Sequence, residues 1–207
     1  MKLALGAIQD ALANPAAFRA RADAGNGGSF GYTYANALRN AIYRYHRTMN
    51  RDDAAEYLEA TIRNSARLKS DKRRLETVEQ MDWYIDQHAA LGWPTFDTRV
   101  RVRISVPARA SESLICTGEV GRIDLVPSGG YAAWLFVSSL NSEWKNELRL
   151  PLLQSTLAGH TLGVPNDEIQ VGAYDFENRQ VVRTSYADSV IRAARRRFSR
   201  LVADLGF

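Results

Sequence analysis

The sequence predicts an α+β protein, a central mixed β-sheet flanked by helices with a helical N-terminal elaboration. Three observations carry this. Apolar residues recur every three or four positions through most of the first ninety residues, the period of an amphipathic helix. Arg99-Val100-Arg101-Val102-Arg103-Ile104 then alternates with period two, as a half-buried strand does, valines inward and arginines outward. Finally, residues 131–137 are apolar throughout, which is how a strand covered on both faces reads.

Taken in order, residues 3–22 are apolar-periodic but interrupted by Asn14-Pro15, which ends one helix and starts another. Residues 23–29 are a Gly-rich loop. Helices follow over 34–48 and 52–68, the second with Asp52 and Asp53 at the end where negative charge is favoured. The clearest helix is 70–90, capped by Ser70, with Leu75, Val78, Met81, Ile85 and Ala89 as its inward stripe and Gly92-Trp93-Pro94 as its stop. The sheet is expected from 99–106, 114–126, 131–138 and 169–176, with Gly118 and Gly121 as bends and Pro127-Ser128-Gly129-Gly130 as a hairpin turn. A helix over 151–162 packs against it. A short strand at 180–183 and a final helix capped by Ser185 and running to Leu205 complete the chain. This order describes one domain over 1–207, with a helical part at 1–95 and an α/β core at 96–207.

Composition narrows the function classes. With 207 residues, 45% hydrophobic and 24% charged, the chain can build a core and is not disordered. Its longest apolar run is seven residues, against about 20 for a membrane span. The N-terminal stretch lacks a cleavage site, so a cytoplasmic protein without membrane contact is expected. The single cysteine, Cys116, excludes a disulfide framework and an iron–sulfur cluster and reads as a small buried apolar residue. His46, His88 and His160 lack the spacing of a metal pair and read as structural or exposed. Only Lys2, Lys69, Lys72 and Lys145 are lysines among 27 basic residues. Such arginine dominance suits bidentate contacts to phosphate or carboxylate.

One segment carries a resemblance. Gly121-Arg122-Ile123-Asp124, a Pro-Ser-Gly-Gly turn, an apolar strand and a helix bearing Gln154 resemble the nuclease core of the RecB-type branch of the PD-(D/E)XK superfamily. The helix end Asn14-Pro15-Ala16-Ala17-Phe18-Arg19 is similar to that family's opening helix. The family pattern is a strand ending G-x-x-D, a hairpin, a strand ending D/E-x-K, and a helix with Q-x-x-x-Y. The resemblance implies a PD-(D/E)XK-like sheet, with Asp124 as the first carboxylate and metal ligand and Gln154 as the helix glutamine. Laying 131–138 on the second strand puts Leu135 or its neighbours at the carboxylate and Val137 at the lysine, and Ala158 stands for the tyrosine. One carboxylate is a poor magnesium site, because a hard cation needs several oxygen ligands.

Three readings follow. The first is a catalytically inactive nuclease-like subunit without a cofactor. It binds or positions DNA or RNA, or a protein partner in a nucleoprotein complex, within a DNA-processing or anti-phage defence assembly. The second is an active Mg²⁺-dependent nuclease with a relocated E-x-K, using Asp124, Glu143 and Lys145. The third is a scaffold binding an acidic protein. The candidate polyanion contacts are Arg192, Arg195, Arg196 and Arg200 on the final helix. Two further groups are Lys69, Lys72, Arg73 and Arg74 at a helix start, and Arg39, Arg44 and Arg47, which share a helix with Tyr34, Tyr43 and Tyr45.

Overall fold

A computed structural model describes residues 2–23, 33–107 and 113–205. Its sheet is built from β1 (Lys2–Ala4), β2 (Thr95–Pro107), β3 (Ser113–Leu125), β4 (Tyr131–Val137), β5 (Ile169–Asp175) and β6 (Gln180–Thr184). The helices are α1 (Ile8–Ala13), α2 (Pro15–Asp23), α3 (Tyr34–Thr48), α4 (Arg51–Asn64), α5 (Asp71–Leu91), α6 (Arg149–Thr156) and α7 (Asp188–Asp204). The sheet is mixed. β2 and β3 form a long antiparallel hairpin, β3 and β4 are antiparallel, β4 and β5 parallel, and β5 and β6 antiparallel. The β4–β5 crossover runs through α6. The fold class is therefore α+β with a mixed central sheet flanked by helices.

Strand β1 was not expected. Lys2–Ala4 pairs in parallel with the outer half of β3, Leu3 opposite Cys116. A three-residue strand leaves almost no periodic signal, and its evidence is the long-range burial of Leu3.

Side-chain alternation divides the sheet between two cores. Val100, Val102, Ile104, Cys116, Val120, Ile123, Ala133, Leu135, Val171 and Ala173 pack with α1, α6 and α7. Ala132, Trp134, Tyr174 and Phe176 pack with α3, α4 and α5. In β3 the even-numbered Cys116 and Val120 face the α6 layer, but so does the odd-numbered Ile123. The alternation slips by one between Val120 and Ile123, beside Arg99, which takes a left-handed conformation at φ 58°. Such a slip is what an irregularity in a ladder produces. As a result Arg122 and Asp124 lie on the α3–α5 side, where Tyr84 and Tyr174 meet Arg122.

Helix caps follow the sequence logic. Thr33, Asn50 and Ser70 side chains accept from Asn36 N, Asp53 N and Arg73 N. The α5 stripe is rotated from the predicted one. Thr77, Met81, Tyr84, Ile85 and His88 are buried, whereas Leu75 is 54% exposed. Two polar residues on the inward face hid this from a hydrophobicity count. Ser185 does not cap α7: its hydroxyl goes to Ile169 O, and the N-cap position is Ala187. The α7 inward face is as predicted, with Ile191, Ala194, Phe198, Leu201 and Leu205 buried. No helix among the described residues is long and apolar enough to cross a membrane.

Candidate functional site: a buried guanidinium in place of a metal centre

Arg122 and Asp124 both come from β3 and both have no exposed surface. Arg122 Nε donates to Asp124 Oδ2 at 2.9 Å, and Nη2 lies 2.7 Å from the same oxygen. Two more bonds leave the fork: Nη1 donates to the Tyr84 hydroxyl at 2.6 Å and Nη2 to the Tyr174 hydroxyl at 2.8 Å. Asp124 takes two further bonds, from Trp134 Nε1 to the same Oδ2 at 2.8 Å and from the Thr95 hydroxyl to Oδ1 at 3.3 Å. The guanidinium also lies over the rings of Tyr84, Trp134 and Tyr174. A charge this deep persists only when its donors are matched. Burial pushes the Asp124 carboxyl above its ordinary range, against the pull of Arg122. Burial also works against the Arg122 charge, but the two tyrosines and Asp124 outweigh it and raise its pKa.

Two histidines close the network. Tyr84 Oη accepts from Arg122 and lies 2.6 Å from His46 Nε2. His88 Nε2 lies 3.4 Å from the Thr95 hydroxyl, which in turn donates to Asp124. The two imidazoles meet edge to face at 4.7 Å, and both Nδ1 atoms are buried without a partner. Burial, with Arg122 nearby, lowers the His46 pKa to about 3 and the His88 pKa to about 4. Both histidines are thus neutral packing residues at neutral pH.

The other predicted catalytic residues stand elsewhere. Glu143 is exposed and accepts from Asn146, and Lys145 is exposed with its ammonium 5.6 Å from the Trp144 ring. Neither shares a hydrogen-bond partner with Asp124. Gln154 is buried on the α6 side, where its amide donates to Asn166 O and Tyr186 O and accepts from Tyr186 N. It ties α6 to the segments before β5 and α7. On β4 the residue registered opposite Asp124 is Ala132, and the apolar stretch that follows supplies no ionisable side chain. Trp134 and Phe136 share the side of Asp124, while Leu135 and Val137 belong to the opposite core. The polar contact of the Trp134 indole with Asp124 was not legible in an apolar run. Among the described residues no group of three or more His, Cys, Asp or Glu is placed to hold a metal ion.

The basic residues separate into committed and free groups. Arg44 forms a two-bond fork with Asp53 at 2.6 Å, joining α3 to α4. Arg74 pairs with Glu59 at 2.8 Å, and Lys72 lies 3.9 Å from Glu76. Tyr45 is buried and Tyr43 donates to Glu119, so neither ring stands free to stack on a base. Arg195 donates to the Ser155 hydroxyl. Among the described residues Arg47, Lys69, Arg73, Arg192, Arg196 and Arg200 pair with no acid, and Arg39 bonds only Asn36 and Ala35 O.

No family model and no curated protein matches the chain. Among solved structures, one described as "Crystal structure of SSO0001" is similar over 91% of this chain and 83% of that chain, with 7% identity and a TM-score of 0.32. A likeness of that size carries no argument. What the fold and the site define is a class, an α+β domain whose sheet encloses a buried, hydrogen-bonded arginine–aspartate pair.

Proposed function

We propose that the chain is a nuclease-like domain of the PD-(D/E)XK type that has lost its chemistry and kept a nucleic-acid-binding role, as a subunit that holds or positions DNA or RNA in a DNA-processing or anti-phage assembly. One observation carries the reading. The carboxylate that the G-x-x-D motif would give to a metal is bound by the guanidinium of Arg122, two residues before it. A fixed positive charge 2.7 Å from the carboxylate repels a divalent cation at the same oxygen, and the Trp134 indole takes a further lone pair. Trp134 and Phe136 stand on the side from which a second carboxylate and a lysine would have to reach Asp124.

Further support comes from the order of elements. A strand ending in Asp124, a hairpin turn, an apolar strand, a helix and a parallel strand follow one another as in the resembled family. The binding part of the proposal rests on the unpaired arginine stripe of α7. Arg192, Arg196 and Arg200 are spaced four residues apart, and no acid of the described residues neutralises them. Phosphate is the ligand that a row of guanidinium groups recognises best.

The test has two arms. Purified protein with Mg²⁺ or Mn²⁺ is expected to leave single- and double-stranded DNA and RNA uncut. Filter binding across a salt series is expected to give an affinity that falls steeply with salt. Cleavage that disappears in both Asp124→Ala and Lys145→Ala would replace this reading with the relocated active site. Salt-independent or absent binding would remove nucleic acid as the partner.

A further inference from the structure

We propose that the cleft at the carboxyl ends of β4 and β5 is a binding site for a nucleoside monophosphate unit, supplied either as a free nucleotide or as the phosphorylated end of a strand. Only the second source rests on the nucleic-acid reading above. The cleft encloses about 560 Å³ between α3, α5 and the residues that leave the parallel strand pair, Val137-Ser138 and Phe176-Glu177. Organic ligands occupy cavities of roughly 300–1,000 Å³. The carboxyl end of parallel strands is also where open sheets with crossover helices bind them.

The lining is divided in the way a nucleotide is. Leu38, Phe136 and Phe176 supply apolar surface, with the two phenylalanine rings 6.0 Å apart and inclined by 64°. Tyr34 adds a third aromatic ring, fixed because its hydroxyl donates to Ser70 O and accepts from Ser70 N. Phe176 is only 5% exposed, so stacking on a base falls to the half-buried rings of Tyr34 and Phe136. The cations come from the helices. Arg39 uses Nε on Ala35 O and Nη2 on Asn36, which leaves Nη1 open, and the Arg73 guanidinium has no acid partner. Acceptors for a base edge or a ribose come from the Glu177 carboxylate at the strand end and from the Gln80 carbonyl, since the Gln80 amide already donates to Phe176 O.

Charge argues for one phosphate rather than several. Arg39 and Arg73 match the charge of one phosphate, while Glu76 and Glu177 in the same wall oppose any further negative charge. A triphosphate would bring more negative charge than this wall can match. A bare anion would leave the Tyr34 and Phe136 rings without use.

Isothermal titration tests the site with adenosine 5′-monophosphate, adenosine, inorganic phosphate, and one oligonucleotide with and without a 5′-phosphate. Saturable binding of the monophosphate is expected, with adenosine and inorganic phosphate at least about tenfold weaker, since charge-assisted bonds and stacking are both needed. The Arg39→Ala/Arg73→Ala variant is expected to lose about tenfold in affinity while its thermal unfolding stays that of the parent. Both positions lie on helix surfaces, and alanine is the best helix former. Binding of the monophosphate alone assigns the free nucleotide as the source. A preference for the phosphorylated oligonucleotide assigns the strand end. Reversing the charge of the α7 arginines leaves monophosphate binding unchanged, so failure of the α7 reading and failure of this one are read separately. Equal binding of adenosine and its monophosphate, unchanged affinity in the double variant, or no binding at millimolar nucleotide overturns the proposal.

Discussion

Arg122 makes the energetics of the centre one-sided. Removing one member of a buried ion pair costs about 3–5 kcal/mol, because the partner is left charged and unpaired, whereas replacing both with apolar residues of similar size is often close to neutral. Arg122→Met is therefore expected to destabilise the protein by about that amount, since it also frees the Tyr84 and Tyr174 hydroxyls. The double variant Arg122→Met/Asp124→Leu is expected to be more stable than the single one, and urea unfolding of the three proteins measures the difference. The histidines add a pH dependence whose sign is fixed. Their folded pKa values, about 3 for His46 and about 4 for His88, lie below the ordinary 6.5, so the unfolded chain binds more protons between them. Stability contributed by the neutral rings is complete above pH about 6.5 and falls as the pH drops towards 4. For buried His88 the loss at pH 4 is about 3 kcal/mol, at about 1.4 kcal/mol per pH unit. His88→Gln is expected to flatten the stability profile between pH 7 and 4, and an unchanged slope would show that another group titrates there.

Elements with a strong periodic signal were legible in the sequence. The β2 alternation, the buried β4 run, the turn at residues 127–130 and the inward face of α7 stand where the spacing put them. Sequence missed what depends on distant partners. β1 exists because Leu3 and Leu5 find the α6–α7 core, and the α5 stripe includes Thr77, whose hydroxyl is satisfied by Arg73 O of its own helix, and His88, which meets Thr95. The site was legible in half. Asp124 stands out as the motif carboxylate, and Arg122, two residues away on the same strand, shares its face; the Tyr84, Tyr174 and Trp134 side chains that complete the pair come from distant elements and leave no local signal. Gly121 belongs to the irregular stretch of β3 for a packing reason. A Cβ there would stand 2.5 Å from the Phe136 ring, which is held among Tyr43, Tyr84, Tyr174 and Phe176. Gly121→Ala is expected to cost about 1–3 kcal/mol through overpacking. A variant as stable as the parent would mean that the aromatic cluster yields more easily than its contacts suggest.

Across the whole molecule the formal charge is only +4, so a general basic field does not drive binding, and placement has to. Many arginines are consumed internally: Arg122 in the sheet, Arg44 between α3 and α4, Arg74 between α4 and α5, Arg149 with Glu147. The α7 stripe is different. Its helix is anchored by an apolar face complete without it, and neither Asp188 nor Asp204, four residues beyond either end of the stripe, forms an ion pair with it. Like charges four apart cost a helix roughly 0.2–0.5 kcal/mol per pair, a strain that an opposing polyanion relieves. Replacing Arg192, Arg196 and Arg200 with Glu is expected to keep the fold, because all three are exposed, and to weaken nucleic-acid binding most at low salt. Each phosphate contact contributes about 0.7–0.9 to the slope of log affinity against log salt, so losing three lowers that slope by about 2–3. Arg195 is left in place, since its bond to Ser155 holds α7 to α6 and its loss would confuse folding with binding. A salt slope unchanged in the triple variant would show that the stripe is solvated surface and that any binding runs through the free cations of the α3–α5 layer.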